Sequence, residues 1–122
     1  MKLLTHNMLQ CNKKGCTSNN YPLALHAQEV SREESEFRPE FLKHMLTKLD
    51  YSALVFAAKA LSIEIPEQMP TNAADDDNFL RGLHTALVEI NVKEGELKCQ
   101  NCSRSFPISK GIPNMLLNEE EV

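Results

Sequence analysis

Two short stretches hold every cysteine of this 122-residue chain: "CNKKGC", with Cys11 and Cys16, and "CQNC", with Cys99 and Cys102. Each spacing allows a turn to aim both sulfurs at one point, and Gly15 supplies a residue free to take positive φ. Four thiolates converging from two turns are the ligand set of a tetrahedral zinc ion. An all-cysteine shell leaves no open position for water or substrate, so such a zinc would be structural rather than catalytic. Two other readings use the same residues. Four reduced cysteines can be plain core residues. Disulfide or thioredoxin-type redox chemistry can use "CQNC", although no βαβ frame surrounds it.

The pairs lie 82 residues apart, too far for a single finger. The elements between them must bring the chain ends together. The N-terminal part contains "PLALHAQEV", which reads as a strand with Leu23, Leu25, Ala27 and Glu29 on one face. The middle reads as helical. Pro39 suits a first helical position and Glu40 its positive end. Phe41, Leu42, Met45, Leu46 and Leu49 then share a face. Asp50 is a candidate cap for a second helix with Leu54, Ala57, Ala58 and Leu61 as its buried stripe. Pro66 and Pro70 break the pattern, and Asp75 to Asp77 read as the acidic start of a third helix carrying Phe79, Leu80, Leu83 and Leu87. From Val88 the pattern alternates. "VEINVKEGELKC" predicts a hairpin, Val88–Val92 against Glu96–Cys99 with "EG" as its turn, and "RSFPI" a further strand. The expected fold class is α+β. A zinc-ribbon-like β lobe comes from residues 1–36 and 88–122, and residues 37–87 form a small helical insert.

Hydrophobic residues at 42% and charged residues at 25% fit a folded domain rather than a disordered chain. The net charge of −4 and the absence of Trp argue against direct nucleic-acid binding, which needs a basic face and stacking platforms. No segment approaches a membrane span, and the start "MKLLTHNMLQC" is too polar for a secretory leader, so an intracellular location is expected. The four glycines are dispersed, and no GxSxG or HExxH occurs, so no phosphate loop or hydrolase signature is present. His44 and His84 fall beside helical apolar stripes. His6 is a further metal candidate in principle, but the cysteines already complete a tetrahedron. The chain therefore reads as a binding or scaffolding protein.

The chain closes with "FPISKGIPNMLLNEEEV". Its apolar run is either a last core strand or an exposed edge that adds to a partner's sheet, kept soluble by the glutamates. Together with "MKLLTHNML" and "EGELKCQNC", this ending resembles the multifunctional methyltransferase subunit family across essentially the whole chain, with "GIPNMLL" the most specific motif. The resemblance implies a zinc lobe built from both termini, a helical insert and no catalysis by the subunit itself. It implies heterodimers with several mutually exclusive S-adenosylmethionine-dependent catalytic subunits that methylate tRNA, rRNA and a translation termination factor, in cytoplasm and nucleus. By position, Cys11, Cys16, Cys99 and Cys102 would hold zinc. Ile112, Pro113, Asn114, Met115 and Leu116 would lie at or near the partner, with Phe106 and Asn7 in the matching blocks. The rival functions are a free-standing zinc-ribbon nucleic-acid-binding module and a small redox enzyme.

Overall fold

The computed structural model describes residues 1–117, 119 and 120; Asn118, Glu121 and Val122 lie outside the described residues. The glutamate cluster expected at the end is thus described only for Glu119 and Glu120.

A single turn of helix, α1 (Leu3–His6), opens the chain. Its Leu3 and His6 are buried. Strand β1 (Ala24–Arg32) follows; of the anticipated face, Leu23, just before the strand, and Leu25 are buried, Ala27 is half-buried and Glu29 is exposed. Helix α2 (Pro39–Leu46) starts at proline, where the missing N–H is not needed by the helix. It buries Leu42 and Met45, whereas Phe41 remains 40% exposed. Helix α3 (Tyr51–Ala60) is capped as expected: the Asp50 carboxylate accepts from the Ala53 N–H at 3.1 Å. Helix α4 (Asp77–His84) uses Asp76 in the same way, accepting from the Phe79 N–H at 3.0 Å. Phe79, Leu80 and Leu83 are buried. A π-helical turn, Thr85–Glu89, extends α4 and buries Ala86, Leu87 and Glu89.

The anticipated hairpin at 88–99 does not form. Residues Ile90–Lys98 are one continuous strand, β2. Gly95 lies in its interior, opposite Ala27 of β1, because a Cβ there would stand 2.4 Å from the His26 carbonyl oxygen. A glycine inside a strand that marks close backbone approach is the alternative to a turn glycine, and here it applies. Register shifts between Ala27 and Val30 mark the same place as a bulge. Strands β3 (Ser105–Ser109) and β4 (Ile112–Pro113) complete an antiparallel sheet in the order β1-β2-β3-β4.

Leu25 pairs with Leu97, and Leu97 with Phe106, giving a buried row across three strands. The same buried cluster contains Leu42, Leu54, Leu80 and Leu83, so helices and sheet share one core. The fold is α+β, as read from the sequence. The chain start closes against the far side of β2. Lys2 bridges to Asn91, and the Met1 ammonium donates to the Asn91 Oδ1 at 2.7 Å and to the carbonyls of Val92 and Gly111 at 2.6 Å each.

Glu89 fastens β1 to the end of α4. Its carboxylate accepts from the Ser35 N–H at 3.1 Å, from the Thr85 hydroxyl at 3.1 Å and from Arg32 at 3.3 Å, with His84 Nε2 at 3.7 Å. The Ser35 backbone donation leads in holding its pKa below the usual carboxylate range. A depressed carboxylate stabilises the fold above its unfolded pKa, and that contribution disappears as pH falls through the folded value. Glu89→Ala is therefore expected to lose about 1–3 kcal/mol at neutral pH. The gap to the parent should close in acid, as read by chemical denaturation at a series of pH values. A gap independent of pH would show that Glu89 acts only by packing.

Candidate metal centre and sheet edge

The two cysteine turns face each other across the end of the sheet. In the first, Gly15 takes φ +84°, and the Cys16 N–H donates to the Lys13 carbonyl at 2.9 Å. The Asn20 side-chain amide braces this turn through the carbonyls of Cys11 at 2.8 Å and Cys16 at 3.3 Å. In the second, the Cys99 N–H donates to the Arg104 carbonyl at 2.9 Å and the Ser103 N–H to the Cys99 carbonyl at 3.1 Å. Ser103 holds φ +64°, a left-handed conformation that costs a residue with a Cβ about 1–2 kcal/mol.

All four cysteines are free thiols, and their sulfurs lie within 4.8 Å of one another. Cys11 is 3.7 Å from Cys102, and Cys16 is 3.5 Å from Cys99. Zn–S bonds of about 2.3 Å place tetrahedral sulfurs about 3.8 Å apart, so the donor set fits zinc in number, chemistry and spacing. Cys11, Cys16 and Cys99 are buried and Cys102 is partly so.

Burial leads in pushing the Cys11 thiol up to about 12. At Cys99 burial also opposes ionisation. The N–H groups of Cys102 and Asn101 outweigh it together with neighbouring thiols, and draw this thiol down to about 7. Zinc binding would require all four thiols to lose their protons, so it would be weaker in acid. Asn101 went unnoticed in the sequence. Its side chain donates to Cys16 Sγ at 3.3 Å and its N–H to Cys99 Sγ at 3.4 Å, so it ties one turn to the other. An amide between two cysteines was the available signal. His6 stands outside this cluster: it is buried, and its Nε2 is 2.8 Å from the Leu23 carbonyl.

The other sequence-selected residues divide into exposed and buried sets. Strand β4 ends the sheet order, pairing with β3 through Ile108–Pro113 and Ser109–Ile112. Ile112 is 68% and Leu116 80% exposed, the two most exposed large hydrophobic residues among those described. Met115 and Leu117 instead pack against the core. Asn114 donates its N–H to the Pro107 carbonyl at 2.8 Å. Arg104 fixes this segment, stacking 4.9 Å above the Phe106 ring and donating to the Leu116 carbonyl at 3.3 Å. The ending thus combines both anticipated readings, with alternate residues anchored inward and outward. Phe106 is 1% exposed and lies in the core. Asn7 is also buried, and it ties α1 to the head of α3: its amide donates to the Asp50 carbonyl at 2.8 Å and accepts from the Asp50 N–H at 3.0 Å. Among the described residues, no helix is long and apolar enough to cross a membrane.

Comparison with known proteins agrees with this arrangement. Residues 2–111 match the family model described as Trm112p-like protein. The chain is 47% identical to the multifunctional methyltransferase subunit TRM112 homolog A of Arabidopsis thaliana, covering all of both chains. It is 47% identical to the TRM112-like protein of Mus musculus over 99% of this chain and 98% of that one. It is 41% identical to the TRM112 subunit of Saccharomyces cerevisiae over 96% of each. Among solved structures, the fold resembles a chain from the E. cuniculi Mtq2–Trm112 complex, described as responsible for methylation of the eRF1 translation termination factor. The TM-score is 0.61 at 20% identity, over 95% of both chains. The match of residues 2–111 to the family model, with 47% identity to relatives over essentially their whole length, places this chain in the Trm112p-like family.

Proposed function

We propose that this chain is a noncatalytic activator subunit. It binds S-adenosylmethionine-dependent methyltransferases as a heterodimer and stabilises their folded form by mass action. The observation that carries this reading is the β4 edge, an outer strand that carries exposed Ile112 and is followed by exposed Leu116. Such an edge extends a partner's sheet through backbone hydrogen bonds, with outward side chains filling its pockets. The family supports it, since its relatives are named methyltransferase subunits and its structural neighbour comes from a methyltransferase complex. Substrates of the catalytic partners are tRNA, rRNA and a translation termination factor. One edge serves several catalytic subunits, so they compete for it. Zinc held by Cys11, Cys16, Cys99 and Cys102 is structural and keeps the lobe that presents the edge in shape. Cytoplasm and nucleus are the corresponding locations. The net charge of −4 leaves RNA contacts to the catalytic partner.

The test is co-expression of the untagged chain with an affinity-tagged methyltransferase of the kind seen in the neighbouring complex. A tag on Met1 would displace an ammonium that is part of the sheet. Equimolar co-purification and methyl transfer dependent on the chain are expected. Ile112→Glu with Leu116→Glu should weaken binding by at least about 30-fold, the equivalent of about 2 kcal/mol. Both side chains are exposed, so the fold should survive. Met115→Glu is a poorer probe, because Met115 also packs on the core. Undiminished binding by the folded double variant would remove β4 from the interface. Failure to bind any methyltransferase, with the chain folded and metal-loaded, would overturn the activator reading.

A further inference from the structure

The helical part carries a second recess, built only from residues 51–83 and sharing no residue with the β4 edge. It has a volume of about 340 Å³. Tyr51 and Phe79 contribute aromatic rings whose centroids lie 6.0 Å apart. The Tyr51 hydroxyl donates to the Pro66 carbonyl at 2.5 Å, bracing one wall against the head of α3. Two carboxylates, Glu64 and Asp76, line the recess, and no cationic residue does. Asp76 spends Oδ1 on the cap of α4. Gly82 lines the recess from within α4. A Cβ built on it meets no atom within 4 Å, so packing does not require glycine there. Glycine in a helix interior is less stable than alanine by roughly 1 kcal/mol. Its effect here is to keep the recess open.

We propose that this recess receives an arginine side chain from a basic segment of a protein partner. Arginine combines an apolar stem for the walls, a planar cation that stacks on an aromatic ring, and a fork of donors for carboxylates. Lysine offers a compact, strongly hydrated charge that matches the stacking wall less well. Nucleic-acid phosphates would be repelled by Glu64 and Asp76. The proposal rests on the reading that the chain works within a protein complex, and it gives that complex a second point of attachment.

The direct test uses amide NMR of the full zinc-loaded chain titrated with acetyl-Gly-Arg-Gly-amide, and with its citrulline and lysine counterparts. The arginine peptide should shift the amides of Glu64, Asn78 and Gly82, and citrulline should bind about tenfold more weakly, as expected for loss of a charge-assisted hydrogen bond. Gly82→Leu, which fills the recess and favours the helix, should abolish the shifts. Equal binding of arginine and citrulline, or shifts confined to other residues, would overturn the proposal. In the reconstituted methyltransferase complex, Gly82→Leu and Glu64→Lys should each weaken binding by about tenfold, the scale of one such bond. Unchanged affinity in both would show that the recess takes no part in the complex. If no complex forms even with the parent chain, the activator reading fails, and the peptide titration still decides the recess.

Discussion

Cys99→Ala with Cys102→Ala is expected to abolish stoichiometric zinc binding and to remove, or shift downward by many degrees, the cooperative melting transition. Structural zinc in small peptides is worth roughly 10–16 kcal/mol at neutral pH, while a whole domain is stable by only about 5–15 kcal/mol. The double variant removes half of the sulfur cluster and leaves Cys11 and Cys16 without the cross-turn neighbours that lie 3.7 and 3.5 Å away. The effect should reach beyond the lobe, because cysteines and helices belong to the same buried cluster. Metal analysis and thermal melting of the parent, the double variant and chelator-treated parent check this together. Full zinc content with unchanged melting in the double variant would mean that these cysteines hold no metal. Asn101→Ala offers a graded comparison. It keeps all four sulfurs but removes the side-chain donor to Cys16, so zinc should bind at the same stoichiometry with about 10–100-fold lower affinity.

The second large effect is expected at Gly95. Adding one methyl group there places it 2.4 Å from the His26 carbonyl oxygen and 3.1 Å from the Ala27 Cα. Backbone cannot rotate away as a side chain does. Gly95→Ala should therefore force β1 and β2 apart at the bulge and lose about 1–3 kcal/mol or more. Gly82→Ala should go the other way and gain about 0.5–1 kcal/mol, since helix interiors favour alanine and nothing stands in its path. Denaturant titration of the two variants beside the parent gives both signs in one experiment. A Gly95→Ala protein as stable as the parent would contradict the close approach of β1 and β2.

These residues also show what the sequence made legible. The cysteine turns could be read because each cysteine pair is local, and sulfur spacing within a turn constrains geometry directly. The cap at Asp50, the acidic start of α4 and the proline start of α2 were legible for the same reason, since each is a local signal, although Asp76 emerged as the cap of α4 only in the structure. Gly95 was misread because its requirement is not local. "EG" between alternating residues has the composition of a turn, and only His26 on another strand shows why glycine is needed. Residues 85–89 were hidden similarly: a π-helical turn carries Glu89 inward to partners at Arg32 and Ser35. Phe106 and Asn7 were placed near a partner by resemblance. Both are buried in this chain, Phe106 opposite Leu97 in the sheet and Asn7 between α1 and the head of α3. The division of the terminal run into exposed Ile112 and Leu116 and anchored Met115 depends on the β3 register and on Arg104, which no periodicity in a short segment encodes.

The joining of the chain start to its far end has a consequence for synthesis. Cys16 and its neighbour Cys99 are 83 positions apart, and Met1 reaches Gly111 across 110. At roughly 5–20 residues per second, a ribosome makes Cys99 about 4–17 s after Cys16. By the end of that interval the residues of α2, α3 and α4 have been made, while β1 still waits for β2 and the first two thiols for the second two. The cysteine lobe is thus the last part of the molecule to close. A chain that stalls before Lys98 would lack two of the four clustered sulfurs and part of the β2 register against β1.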